Sequence, residues 1–168
     1  MLNRKSTRLK GYDYSSQGGY FITINVKQRK VNHFGIIVND MMILNNAGLI
    51  VKDEWLKTEK IRQHVALDEF VIMPDHFHAI LFLRETQDQL SLKKTGECDS
   101  PIQNTLFKSP SKTIGAIVRG FKSACTKRFN VEKIHIEWQR NYYDRIIRNE
   151  KEFLNVQNYI INNPANWK

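Results

Sequence analysis

In MPDHFHAILFL, residues 73–83, His76 and His78 stand one residue apart at the start of an apolar run. If the run is a strand, its two-residue period turns His76, His78, Ile80 and Phe82 to one face and Phe77, Ala79, Leu81 and Leu83 to the other. Two imidazoles on one face can ligate a divalent cation together, and by themselves they suit zinc or nickel as well as magnesium or manganese. A pair of partly buried, hydrogen-bonded histidines would satisfy the same pattern. A second cluster lies in QNYIINNP, residues 157–164, where Tyr159 and Asn163 are four apart, so a helix stacks a phenol and an amide on one flank. Tyr159 as a half-buried aromatic and Asn163 as a C-terminal cap before Pro164 is the plainer alternative.

The elements that must position these residues can be read from periodicity. YFITINVK (20–27) is rich in β-branched and aromatic residues and predicts a strand, with FGIIV (34–38) as its neighbour. Ala47, Leu49, Ile50, Trp55 and Leu56 predict a helix from about Asn46 to Lys60. LDEFVIM (67–73) and 76–83 then form an antiparallel hairpin about Pro74 and Asp75. Apolar residues on both faces of the histidine strand predict a central place in the sheet. Residues 85–112 are polar, carry Gly96, Pro101 and Pro110, and read as a flexible insertion. TIGAIVRGFKSACTKRFN (113–130) predicts a helix with one apolar and one basic face, the latter carrying Arg119, Lys122, Lys127 and Arg128. IHIEW (134–138) and NYYDRII (141–147) predict a strand and a hairpin arm. Asn149 with Glu152 three residues on forms a capping-box signature for a last helix that stops at Pro164.

At 168 residues with 41% hydrophobic content, the chain fits one domain with a real core. The formal charge of +9, with Arg4, Lys5, Arg8 and Lys10 in an opening arm (1–19) whose first ten residues carry no acid, favours a polyanionic partner, nucleic acid ahead of a membrane surface. Cys98 and Cys125 make neither a C-x-x-C pair nor a disulfide framework, which fits a reducing cytoplasm. The N-terminus lacks the apolar core of a signal peptide, and no run approaches the ~20 apolar residues of a spanning helix.

An H-x-H strand followed by a late Y-x-x-x-N helix resembles the single-tyrosine HUH nucleases, with Phe77 as the hydrophobic residue between the histidines. The chain is most similar to the REP-associated tyrosine transposases, within the IS200-like superfamily. The matching blocks are RKSTRLKGYDYSSQGGYFITINV, FGIIVNDMMILNNAGLIVKDEW, LDEFVIMPDHFHAILFL and DRIIRNEKEFLNVQNYIINNPANW, which together cover most of the chain outside 85–112. Asp75 departs from the family pattern, in which many members carry asparagine; it either adds a carboxylate near a metal or shapes the turn, and the turn is the favoured role.

The resemblance implies an α+β, ferredoxin-like antiparallel sheet flanked by helices, and a magnesium or manganese ion on His76, His78 and Asn163. It further implies that Tyr159 cuts and rejoins single-stranded or hairpin DNA through a 5′-phosphotyrosine intermediate. A phenol is mostly protonated at neutral pH and needs electrostatic help to attack a phosphodiester. Arg4, Lys5, Arg8, Lys10, Arg119 and Lys122 are the expected DNA contacts, and the chain is expected to act as a monomer or homodimer. A catalytically inactive DNA-hairpin-binding protein would share the charge and the fold. A zinc hydrolase is less well served, because no Asp-His pair follows the H-x-H in HFHAILFLRE.

Overall fold

A computed structural model describes residues 13, 16–84 and 112–167. Arg4, Lys5, Arg8 and Lys10, and all but the last residue of the 85–112 insertion, lie outside the described residues. In chain order the elements are β1 (Gly18–Asn25), β2 (Gly35–Val38), β3 (Met41–Leu44), α1 (Asn46–Ile61), β4 (Val65–Met73) and β5 (His76–Leu83). They continue with α2 (Ile114–Val131), β6 (Tyr143–Ile147), α3 (Glu150–Ile161) and a 3-10 turn (Pro164–Asn166). With the β2–β3 hairpin and the terminal helix α3 set aside, this is a β-α-β-β-α-β chain folded into one antiparallel sheet of order β4-β5-β1-β6, the ferredoxin-like plan.

The period-two pattern of the strands decides which helix covers which face. Tyr20, Ile22 and Ile24 of β1 and Phe77, Ala79, Leu81 and Leu83 of β5 point to one side, where α1 and α2 close a core through Trp55, Ile117, Phe121 and Phe129. Phe77 is fully buried there, its ring 5.0 Å from Trp55 and 5.4 Å from Phe121. Burial of each such side chain stabilises the fold by about 1.5–3 kcal/mol. The other face receives α3 through a smaller cluster in which Ile80, Val156 and Ile160 are joined by Phe21, Val71, Phe82, Ile147 and Phe153. The histidine strand is therefore central, flanked by β4 and β1, and its two faces divide as the alternation predicts.

Side-chain caps set the helix starts. Asn45 accepts from the Gly48 amide, Thr113 from Ala116 and Asn149 from Glu152. The capping box at α3 forms with a shift, since Glu152 accepts from the Arg148 amide, one residue before the cap.

Two expectations are corrected. FGIIV does not neighbour β1; β2 pairs with β3, the strand MMIL, in a separate two-stranded sheet. The cause is the Asn39-Asp40 turn, whose positive φ angles of 49° and 60° match the tight hairpin geometry that Asn and Asp tolerate. IHIEW forms no strand. It meets β1 at one isolated bridge, Val26 to Trp138, with Lys27 N donating to Glu137 O and Gln139 N to Asn25 O, while the arm that joins the sheet begins at Tyr143.

Candidate functional site

β5 leaves the two-residue Pro74-Asp75 turn at its histidine end, so both imidazoles sit at the mouth of the sheet on the α3 face. His76 and His78 are 7% and 5% exposed, their ring centroids 4.6 Å apart. Each Nδ1 has a partner. That of His76 lies 2.6 Å from Asp75 Oδ1, and that of His78 lies 2.8 Å from Thr23 Oγ1, directly across the β1–β5 ladder. Burial holds His78 down at about 3, with smaller contributions from His76 and Arg29, and burial also lowers His76 although Asp75 opposes it. Both rings are therefore neutral at physiological pH, with each Nδ1 anchored and the Nε2 atoms turned away from those anchors, the arrangement that suits metal-binding histidine.

Asp75 does more than shape the turn. Its carboxylate is 1% exposed and also accepts from Arg29 Nε at 2.8 Å and from the Lys30 amide at 2.9 Å. Those hydrogen bonds hold its carboxyl below the usual range despite burial, which opposes them. The carboxylate stands behind His76 and orients it.

α3 delivers the other half. The Tyr159 hydroxyl lies 3.3 Å from His78 Nε2, with ring centroids 5.3 Å apart. Phe21 of β1 stacks on His78 and meets Tyr159 edge-on. Tyr159 remains 51% exposed. One turn on, Asn163 is buried, and it caps no helix with its side chain: it precedes the 3-10 turn in helical geometry with no side-chain cap hydrogen bond. The chain then brings the Trp167 ring to 5.6 Å from His76. Tyr159 and Trp167 thus bracket Asn163 in sequence, each against one imidazole of the pair. Among the described residues no group of three His, Cys, Asp or Glu side chains is placed to hold a metal.

No family model matches the sequence. A protein of Haemophilus influenzae that carries the description "uncharacterized protein" is 43% identical over 172 residues, spanning 99% of this chain and 91% of that one. The two belong to one family. Among solved structures, a REP-associated tyrosine transposase bound to a REP hairpin superposes with a TM-score of 0.60 at 18% identity, covering 94% of this chain and 73% of that chain. The fold is that of the REP-associated tyrosine transposases, as the sequence motifs imply.

Within this transposase fold the expected cations of α2 are not at the imidazoles. α2 packs on the far side of the sheet, on the Phe77 face. Lys122 is turned inward, its ammonium donating to the carbonyls of Gln139 and Asn141, and burial lowers its pKa. It fastens the segment before β6 to α2. Arg128 is held by Asp53 and Glu54 of α1. Arg119 and Lys127 are exposed on that same distant helix. The residues that sequence reasoning missed are Thr23, Asn25, Arg29 and Trp167. Thr23 and Asn25 alternate with Ile22 and Ile24, a readable polar face, yet only the register of β1 against β5 shows that the face meets the histidines.

Proposed function

We propose that the chain is a metal-dependent single-stranded DNA endonuclease and strand transferase of the transposase type, with Tyr159 as nucleophile and His76, His78 and Asn163 as metal ligands. The observation that carries this reading is the contact of the Tyr159 hydroxyl with His78 Nε2, which sets an exposed phenol beside a neutral, pre-oriented imidazole pair. The phenolic oxygen bonds to phosphorus while the bond from phosphorus to the 3′-oxygen breaks. The phenol proton leaves to water on the exposed side, and the departing 3′-oxygen gains one. A 5′-phosphotyrosine and a 3′-hydroxyl result, and the reverse attack by a 3′-hydroxyl reseals a strand without ATP.

The donor set fits a divalent cation, magnesium or manganese in this reading, which when bound polarises the phosphate and stabilises developing charge. The chain's own contribution is placement: Asp75 and Thr23 fix the rings, Phe21 packs against His78 and Tyr159, and α3 holds the phenol beside His78. The neighbour's REP hairpin and the charge of +9 support hairpin-bearing DNA as substrate. The test is incubation with labelled single-stranded hairpin oligonucleotides and manganese, followed by a denaturing gel. A covalent protein–DNA band is expected, and its absence across a randomised-flank hairpin library would overturn the reading.

A further inference from the structure

Arg29, in the loop after β1, is held in place by two hydrogen bonds from different nitrogens of its guanidinium. Nε donates to Asp75 Oδ2 at 2.8 Å and Nη1 to Asn25 Oδ1 at 3.0 Å. The same Asp75 carboxylate meets His76 Nδ1 at 2.6 Å, so one buried group ties the guanidinium to the imidazole pair. A guanidinium has five N–H donors, and two are used here; among the described residues no acceptor takes the others, and the side chain is 47% exposed. One N–H of Nη1 and both of Nη2 remain on a guanidinium that the two bonds hold in place, and donors on adjacent nitrogens match two oxygens of a phosphate.

The geometry points to Arg29 as a phosphate-binding residue, its remaining donors taking a phosphodiester of single-stranded DNA adjacent to the one that Tyr159 attacks. The phosphate is a neighbour because Asp75 meets His76 at Nδ1, which places Arg29 behind that ring rather than on the Nε2 side. This assignment rests on the proposal that the α3 face meets single-stranded DNA, and it deepens it by naming where the strand is gripped outside the reacting centre.

The test uses the whole chain, the hexanucleotide dT6 and a dT6 whose linkages are neutral methylphosphonates. Arg29→Lys keeps the charge and removes the fork. It is expected to weaken dT6 binding about 5- to 10-fold and to leave binding of the methylphosphonate strand unchanged. Lys60→Arg, an exposed position on α1 across the sheet, should change neither. In the wild type the Arg29 Nε–H resonance should shift on adding dT6 and stay in place with the neutral strand. A wild type that does not bind dT6, an Arg29→Lys variant that binds it at full strength, or an equal loss on both strands would overturn the assignment. A wild type that grips dT6 through Arg29 yet forms no covalent adduct with any hairpin would sink the strand-transferase reading and leave this one standing.

Discussion

The Tyr159 hydroxyl sits 3.3 Å from His78 Nε2 although 81 residues separate them in the chain. α3 owes this position to Val156 and Ile160, which pack on Ile80, two residues beyond His78 on the same face of β5. Removing the hydroxyl leaves that packing intact. Tyr159→Phe should therefore fold normally, losing less than ~1 kcal/mol of stability because the side chain is half exposed, and should form no covalent DNA adduct. A denaturing gel and a thermal melt of the same preparation check both halves. A covalent band from this variant would place the nucleophile on another residue.

Asp75→Asn is expected to hurt twice. The carboxylate is buried and accepts from Arg29, Lys30 and His76, so its replacement should cost about 1.5–3 kcal/mol, the range of hydrogen bonds to a charged group. His76 also loses the partner that fixes its orientation, and manganese affinity should fall roughly 10- to 100-fold. Urea unfolding and calorimetric manganese titration measure the two effects separately. Wild-type manganese affinity in the variant would remove Asp75 from any role at the site.

How much of this was legible in the sequence depended on whether the determining contact is local. The face assignment of β5, the Pro74-Asp75 turn and the capped start of α3 at Asn149 follow from side-chain alternation and capping, and all are present. The β2–β3 hairpin was equally local, encoded by Asn39-Asp40, and went unread because that pair is a weaker hairpin signal than Asn-Gly. Thr23, Asn25 and Arg29 are different in kind. They reach His76 and His78 only through strand pairing and a loop contact that span tens of residues, and no spacing within the chain announces them. The basic face of α2 shows a different limit: helical periodicity groups its cations, but it carries no information about which side of the sheet the helix covers or that Lys122 turns inward to the Gln139 and Asn141 carbonyls.

Phe77, between the two ligand candidates, faces away from them into the main core, against Trp55, Phe70 and Phe121. Its part is to lock the strand that carries both rings. Phe77→Ala should lose about 3–5 kcal/mol through the cavity left behind, whereas Phe77→Leu should lose under about 1.5 kcal/mol because its volume is closer. Chemical denaturation gives both values. If the alanine variant were as stable as the leucine one, the ring would not be packed as described.

Stability should fall on acidification before the carboxylates titrate. His76 and His78 are held below their ordinary value of 6.5, His78 at about 3, so between those limits the unfolded chain binds more protons than the folded one. Their contribution is complete above pH ~6.5 and is lost as pH falls toward 3. Asp75, also depressed, keeps its contribution over the upper part of that window, down to its ordinary 3.8, and loses it as pH falls further toward its lowered folded value. The expected slope from His78 is up to about 1.4 kcal/mol per pH unit. Urea midpoints at pH 7.5, 5.5 and 4.5, taken with a chelator so that metal release adds nothing, should drop steadily in the wild type and less steeply in His78→Gln. Equal slopes in the two proteins would mean that His78 takes up its proton in the fold as readily as in the unfolded chain, which a ring buried against Phe21 and Tyr159 cannot do.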